Sequence, residues 1–110
     1  MSEVKTPKDF FEKILIQRFN PKKAEGVDVI VNIDIIGDNG GKWIVMIKKQ
    51  ILTIEKGIHN CPTLSLTMKE KDYLDIINGK LNGEKAFFSG KLKLKGNISQ
   101  ALRLKDAGLF

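Results

Sequence analysis

The chain has 110 residues, 42% apolar and 29% charged, with 19 lysines and arginines against 13 acids and a formal net charge of +6. That length suits one domain, residues 1–110, with a single core, and its apolar runs, such as Val29 to Val31, are broken by Asn32 and Asp34 too soon to cross a membrane. One cysteine, Cys61, excludes an internal disulfide, and the charged opening MSEVKTPKDF lacks the apolar region of a secretory signal, so the expected location is cytoplasmic.

Thr6, Pro7 and Asp9 predict a helix start: a hydroxyl cap, a proline at the first helical position and an acid near the positive end. Phe10, Phe11, Ile14, Leu15 and Phe19 recur at spacings of three and four, so they line one face until Asn20-Pro21 stops the pattern. A short helical turn fills Pro21 to Ala24. From Val27 the period falls to two: Val27, Val29, Val31, Ile33 and Ile35 share one side of a strand, and Asp28, Asn32 and Asp34 share the other. The turn cluster Gly37 to Gly41 leads into a second strand, Lys42 to Lys48, and Ile51 to Glu55 makes a third. Between the last two, Lys49-Gln50 lacks the glycine or asparagine that a tight primed hairpin favours.

Gly57 to Pro62 reads as loop. Leu64, Leu66 and Met68 alternate with Thr63, Ser65 and Thr67 in a fourth strand that runs into a helix near Lys69. Thr67 and Glu70 have capping-box spacing, Tyr73, Leu74, Ile76 and Ile77 supply the helix's buried side, and Gly79 is placed to end it. Ala86-Phe87-Phe88 is an apolar knot, Lys91 to Lys95 a fifth strand, and Asn97 with Gln100 opens a last helix ending about Gly108. Three successive strands followed by alternating helices predict an α+β layer, one sheet with helices gathered on one face.

Catalysis needs a nucleophile with a base, paired carboxylates at a defined separation, or clustered metal ligands. His59 and Cys61 lie two apart in a loop with no third partner, too few for a zinc site, and read as a loop histidine beside a small packing residue. Gly37 to Gly41 joins two strands and opens no helix, so it is a hairpin turn and not a phosphate cradle. Asp28 and Asp34 are about 20 Å apart at strand rise, too far for acid and base work. The residues therefore predict no catalytic group, no metal and no cofactor. The basic charge is almost all lysine, with only Arg18 and Arg103 as arginines and no reading motif, which argues against nucleic acid as a partner.

What remains is apolar surface. Phe87 and Phe88, Leu92 and Leu94, Ile98, Ala101, Leu102 and Leu104, and finally Leu109 and Phe110 put bulky apolar groups in every element after residue 86. From the residues alone, core packing explains such a stripe.

The run Ala86-Phe87-Phe88-Ser89-Gly90-Lys91-Leu92-Lys93-Leu94-Lys95-Gly96-Asn97, followed by Ala101-Leu102-Arg103-Leu104, closely resembles the signature of the sterol carrier protein type 2 family. Upstream, Leu64-Ser65-Leu66-Thr67-Met68, Asp72-Tyr73-Leu74 and Gly79-Lys80-Leu81 agree in order. The likeness spans the chain and is most specific over residues 63–105, while the first forty residues match only as a pattern. Gly83 stands where proline is common in the family, and the chain ends Gly108-Leu109-Phe110 where some eukaryotic members carry a peroxisomal tripeptide.

The resemblance implies a five-stranded, mainly antiparallel sheet covered on one face by helices, with a hydrophobic tunnel between the layers. It implies a carrier that performs no chemistry, holding a fatty acid, acyl-CoA, phospholipid or sterol-like ligand. Carried to matching positions, the tunnel would be lined by Ile76, Ile77 and Leu81, by Phe87 and Phe88, and by Ala101, Leu102, Leu104, Leu109 and Phe110. Because an end segment opens at less cost than a central strand, the tail from Asn97 is the expected gate. Lys91, Lys93 and Lys95 project opposite Leu92 and Leu94, where they either protect a sheet edge or touch lipid headgroups and a transient anionic membrane surface. The alternative is an accessory module that presents the same apolar surface to a partner enzyme. The pattern assigns no oligomeric state.

Overall fold

The computed structural model describes residues 3–109, apart from the side chain of Leu102. Strict alternation makes Val29–Ile36 the central strand, β1, with its odd positions buried and its even positions partly exposed. The following turn demands Gly40, because a Cβ there would meet the Ile35 carbonyl oxygen at 2.0 Å. It leads into β2 (Gly41–Lys48), antiparallel to β1, and a tight hairpin then forms β3 (Ile51–Lys56). β4 (Leu64–Lys69) returns parallel to β1, and β5 (Leu92–Gly96) closes antiparallel on β4. The order is β3-β2-β1-β4-β5, so the sheet is mostly antiparallel with one parallel pair.

Lys49 and Gln50 both sit at positive φ, 51° and 65°, the two-residue turn that the sequence does not advertise. Cross-strand pairing of Lys48 with Ile51, and a bond from Gln50 Nε2 to the Pro21 carbonyl at 2.9 Å, hold it there. Because left-handed backbone disfavours lysine and suits asparagine, Lys49→Asn is expected to raise stability by about 1 kcal/mol. Urea unfolding measures this, and a lower midpoint would refute it.

Three contiguous helical segments, Pro7–Asp9, a wider π-turn over Phe10–Ile14, and Leu15–Arg18, form one rod, α1. Thr6 caps it by accepting from the Asp9 amide at 3.1 Å. Consecutive Phe10 and Phe11 are both buried against the sheet. Phe11 stacks on Trp43 at 4.7 Å and on Tyr73 at 5.7 Å, giving an aromatic column through the middle of the core.

β4 passes directly into α2 (Glu70–Ile77), but the expected capping box is absent. Thr67 is still in the strand, paired with Asp34 and Lys93, and Lys69 is the uncapped entry residue. Glu70 instead accepts from the Asn39 amide at 2.8 Å, tying the β1–β2 turn to the helix. Gly79, at φ +78°, ends α2 as predicted. A further helix, α3 (Gly83–Phe88), occupies the segment read as an apolar knot, and the chain closes with a 3-10 turn, Ile98–Gln100, leading into α4 (Ala101–Ala107). Asn97 makes no side-chain cap; its Oδ1 takes the Ser99 hydroxyl instead.

Tyr73, fully buried in α2, donates its hydroxyl to the Leu109 carbonyl at 3.0 Å. Burial holds the phenol far above the ordinary tyrosine range, opposed by the nearby Arg18 charge. In the unfolded chain tyrosine ionises near pH 10, so the stability contributed by the protonated phenol is complete below about pH 10 and falls as pH rises beyond it. Melting temperature is expected to drop between about pH 10 and 12, and Tyr73→Phe to flatten that drop. As Tyr73 is the sole tyrosine, phenolate absorbance should appear only on unfolding.

Candidate functional site

α3 is short, and its stability starts with Asn82, whose side-chain oxygen accepts from the amides of Glu84 at 2.8 Å and Lys85 at 3.2 Å. Gly90, at φ +82°, turns the chain out of the helix, and the Lys91 amide returns to the Ala86 carbonyl at 2.9 Å. Buried Ala86 anchors the helix on the core, which leaves Phe87 half-buried and Phe88 84% exposed, their rings edge-to-face at 5.6 Å.

Between α3, β5 and α4 lies a partly open apolar groove of about 380 Å³. Its walls are Phe87 and Phe88 from α3, Leu92 and Leu94 from β5, Ile98 from the 3-10 turn and Ala101 from α4. Leu92 pairs with Met68 and Leu94 with Leu66, so the floor of the groove continues the apolar face of the sheet. Glu84 and Lys105 stand at its margin, 3.9 Å apart. A size near 400 Å³ with nearly all-hydrocarbon walls is the setting for an apolar ligand. A larger depression of about 630 Å³ lies elsewhere, between the N-terminal segment and α2, but Glu3, Lys5, Lys69 and Glu70 border it and make it a charged surface feature.

The residues implied by the family likeness divide three ways. Phe87, Phe88 and Ala101 meet in the groove. Ile76 and Leu81 line a separate, more polar depression beside Lys80, whose ammonium donates to Glu3 and is raised above the ordinary lysine range chiefly by that bond. Ile77, Leu104 and Leu109 are buried in the core and line neither space. The Leu102 side chain and Phe110 lie outside the described residues. Leu92, Leu94 and Ile98 are wall residues that the sequence reading assigned to packing alone; for Leu92 and Leu94 the alternation that puts them on one side of β5 was the available signal. The cavity lies at the sheet edge and is partly open, while Phe10, Phe11, Leu15 and Tyr73 pack together in the core.

Lys91, Lys93 and Lys95 are exposed and do not line the groove. The His59 loop is pinned by Asn32, which donates to the His59 carbonyl at 3.0 Å and accepts from its amide at 2.9 Å. Cys61 is exposed, so it is not the packing residue expected; its amide donates to His59 Nδ1 at 3.0 Å. Among the described residues there is no group of three or more metal-ligating side chains, and no helix is long and apolar enough to cross a membrane.

A family model described as the SCP-2 sterol transfer family matches residues 11–107. Peroxisomal multifunctional enzyme A of Dictyostelium discoideum is 36% identical over 84 residues, covering 76% of this chain and 19% of that protein. Sterol carrier protein 2 of Homo sapiens is 31% identical over 88 residues, covering 80% of this chain and 16% of that protein. The chain therefore spans less than a fifth of the length of these relatives. Among solved structures, the sterol carrier protein domain 2 of Helicoverpa armigera superposes with a TM-score of 0.71 at 28% identity, covering 96% of this chain and 91% of that one.

Proposed function

The chain belongs to the SCP-2 sterol transfer family, and from that premise we propose that it is a non-enzymatic carrier holding the hydrocarbon part of a lipid in the groove between α3, β5 and α4. The observation that carries this reading is the convergence of Phe87, Phe88, Leu92, Leu94 and Ala101 around one apolar space. Burying about twelve methylenes is worth roughly 10 kcal/mol gross, and micromolar affinity needs about 8 kcal/mol. Contact with hydrocarbon walls therefore suffices without a strong polar clamp, and the headgroup of a fatty acid, acyl-CoA or phospholipid rests at the open side, near Lys105 and Ser99.

Native mass spectrometry of the purified protein, followed by organic extraction, tests this. A carrier is expected to retain fatty acid or phospholipid and to bind a fluorescent fatty acid at micromolar concentration, in competition with unlabelled palmitate. No extracted lipid together with no binding would overturn the reading. It would leave the second one, an accessory domain covering this surface with a partner enzyme, which is favoured by the Dictyostelium relative's being a multifunctional enzyme more than five times the length of the matched segment.

A further inference from the structure

The two edges of the sheet differ in how they meet solvent. β5 carries lysine at alternate positions, Lys93 and Lys95, which discourages another strand from pairing there, and α3 packs beside it. β3, the outer strand at the other end of the order, has no such guard. It holds no proline, its ladder with β2 runs residue for residue from Ile51 to Lys56 without a bulge, and its lysine, Lys56, sits at the very end.

The Gly57 amide donates to the Lys42 carbonyl at 3.0 Å, which fixes the alternation of backbone direction along β3. Ile51, Thr53 and Glu55 turn their amides and carbonyls toward β2, and Leu52, Ile54 and Lys56 turn theirs outward. Apolar side chains left in water gather around this same edge. Ile16 of α1 is 64% exposed and Ile51 is 66% exposed, one on each face of the strand, and Ile58, just past its end, is 60% exposed. On the helical face, Ile16, Leu52 and Ile54 line a groove of about 270 Å³ together with Phe11 and Trp43.

We infer that β3 pairs antiparallel with β3 of a second copy of this chain, about a two-fold axis at Thr53, to form one sheet from two five-stranded halves. The strand's own order selects this occupant. With Thr53 facing Thr53, Leu52 of each copy lies opposite Ile54 of the other, and these are residues whose outward backbone groups are free to exchange bonds. The same register sets Ile51 against Glu55 and Gln50 against Lys56, so no like charges face each other. It also brings Glu55 diagonal to Lys49 of the second copy, a complementary charge, and does so twice by symmetry. Because the axis stands normal to the sheet, α1 of both copies lies on one face, and the two Ile16 side chains flank the joined rows of Leu52 and Ile54. Both β5 edges stay at the outer ends with their grooves open, so the inference stands independently of the carrier reading.

The charge of +6 on each copy opposes the contact and makes it a weak one. Sedimentation velocity of the full chain at physiological salt is expected to show a monomer at about 5 μM and a dimer growing in by about 500 μM. Thr53 is exposed, so the fold tolerates Thr53→Lys. That change places two ammonium groups face to face at the axis and should weaken the dimer at least about tenfold. Asp38→Asn, which raises the net charge by the same unit in the β1–β2 turn, should leave it within about twofold.

Cross-linking reads the register. In a Cys61→Ser background, Thr53→Cys faces itself with Cα atoms about 4.5 Å apart, within disulfide reach, and should link into dimers on oxidation with copper phenanthroline. Ile51→Cys, on the same strand, would stand about 14 Å from its counterpart and should not link. A monomer at every concentration overturns the inference and leaves the edge to an extended segment of another protein. A dimer that Thr53→Lys leaves as tight as wild type overturns it too, as does one that links through Ile51→Cys, or through Lys93→Cys on β5, and not through Thr53→Cys.

Discussion

Leu109→Ala is expected to lower the stability of the fold by about 3 kcal/mol, a core-sized loss from the next-to-last residue of the chain. Leu109 is 1% exposed, its amide donates to the Leu104 carbonyl at 3.0 Å, and its own carbonyl takes the Tyr73 hydroxyl. Just before it, Gly108 at φ +108° lies so close to α1 that a Cβ would meet the Arg18 carbonyl at 2.8 Å, and the Asn20 amide donates to the Ala107 carbonyl at 3.1 Å. Truncation from Ala107 onward therefore removes core packing and is expected to destabilise the domain. Urea or thermal unfolding of Leu109→Ala checks the point; a loss below about 1 kcal/mol would mean that the tail is not part of the core.

Leu94→Asp is expected to weaken acyl-chain affinity at least about a hundredfold, because a carboxylate on the groove floor must either stay hydrated where the chain would lie or be buried without a partner. Leu94 is half-buried on an edge strand, so the fold is expected to tolerate this change better than it would at buried Leu92. Leu94→Met, which nearly conserves volume and hydrophobicity, should bind within a few-fold of wild type. Fluorescent fatty-acid titration, with melting temperature measured in parallel, distinguishes a damaged groove from a damaged fold. Equal affinity in the wild type and Leu94→Asp would remove β5 from the site.

The sheet was legible in the sequence because its signal is periodic. Alternation in Val29–Ile36 and Leu64–Lys69 marks strands without reference to anything distant, and the cap Thr6 marks a helix start through a bond to its own neighbour. What was missed depends on partners far along the chain. Glu70 bonds to Asn39 and so cannot complete a capping box, and Gln50 reaches Pro21 to support a hairpin that its turn residues do not favour. α3 escaped because its six residues present no full helical repeat; its clearest local signal was Asn82, a capping residue just before Gly83.

The candidate site was legible as a segment but not as a surface. The run from Ala86 to Gly96 contains four of its walls, yet which neighbours face the groove depends on how α3 and α4 lie over β5. Ile77, Leu104 and Leu109 have the same apolar chemistry as the true walls and differ only in being covered.

The single parallel pairing, between β1 and β4, also orders the assembly of the molecule in time. β1, β2 and β3 are joined by short turns and can zip in sequence, whereas Ile30 and Thr63, which bond to each other at the start of the parallel pair, are 33 residues apart. The entropy of closing that long loop has to be met before β4, with β5 on its far side, can join the β1–β2–β3 meander. The groove, built on β5, is therefore expected to join the sheet after the β1–β2–β3 scaffold, so that its lipid-sized apolar surface gains its full support last.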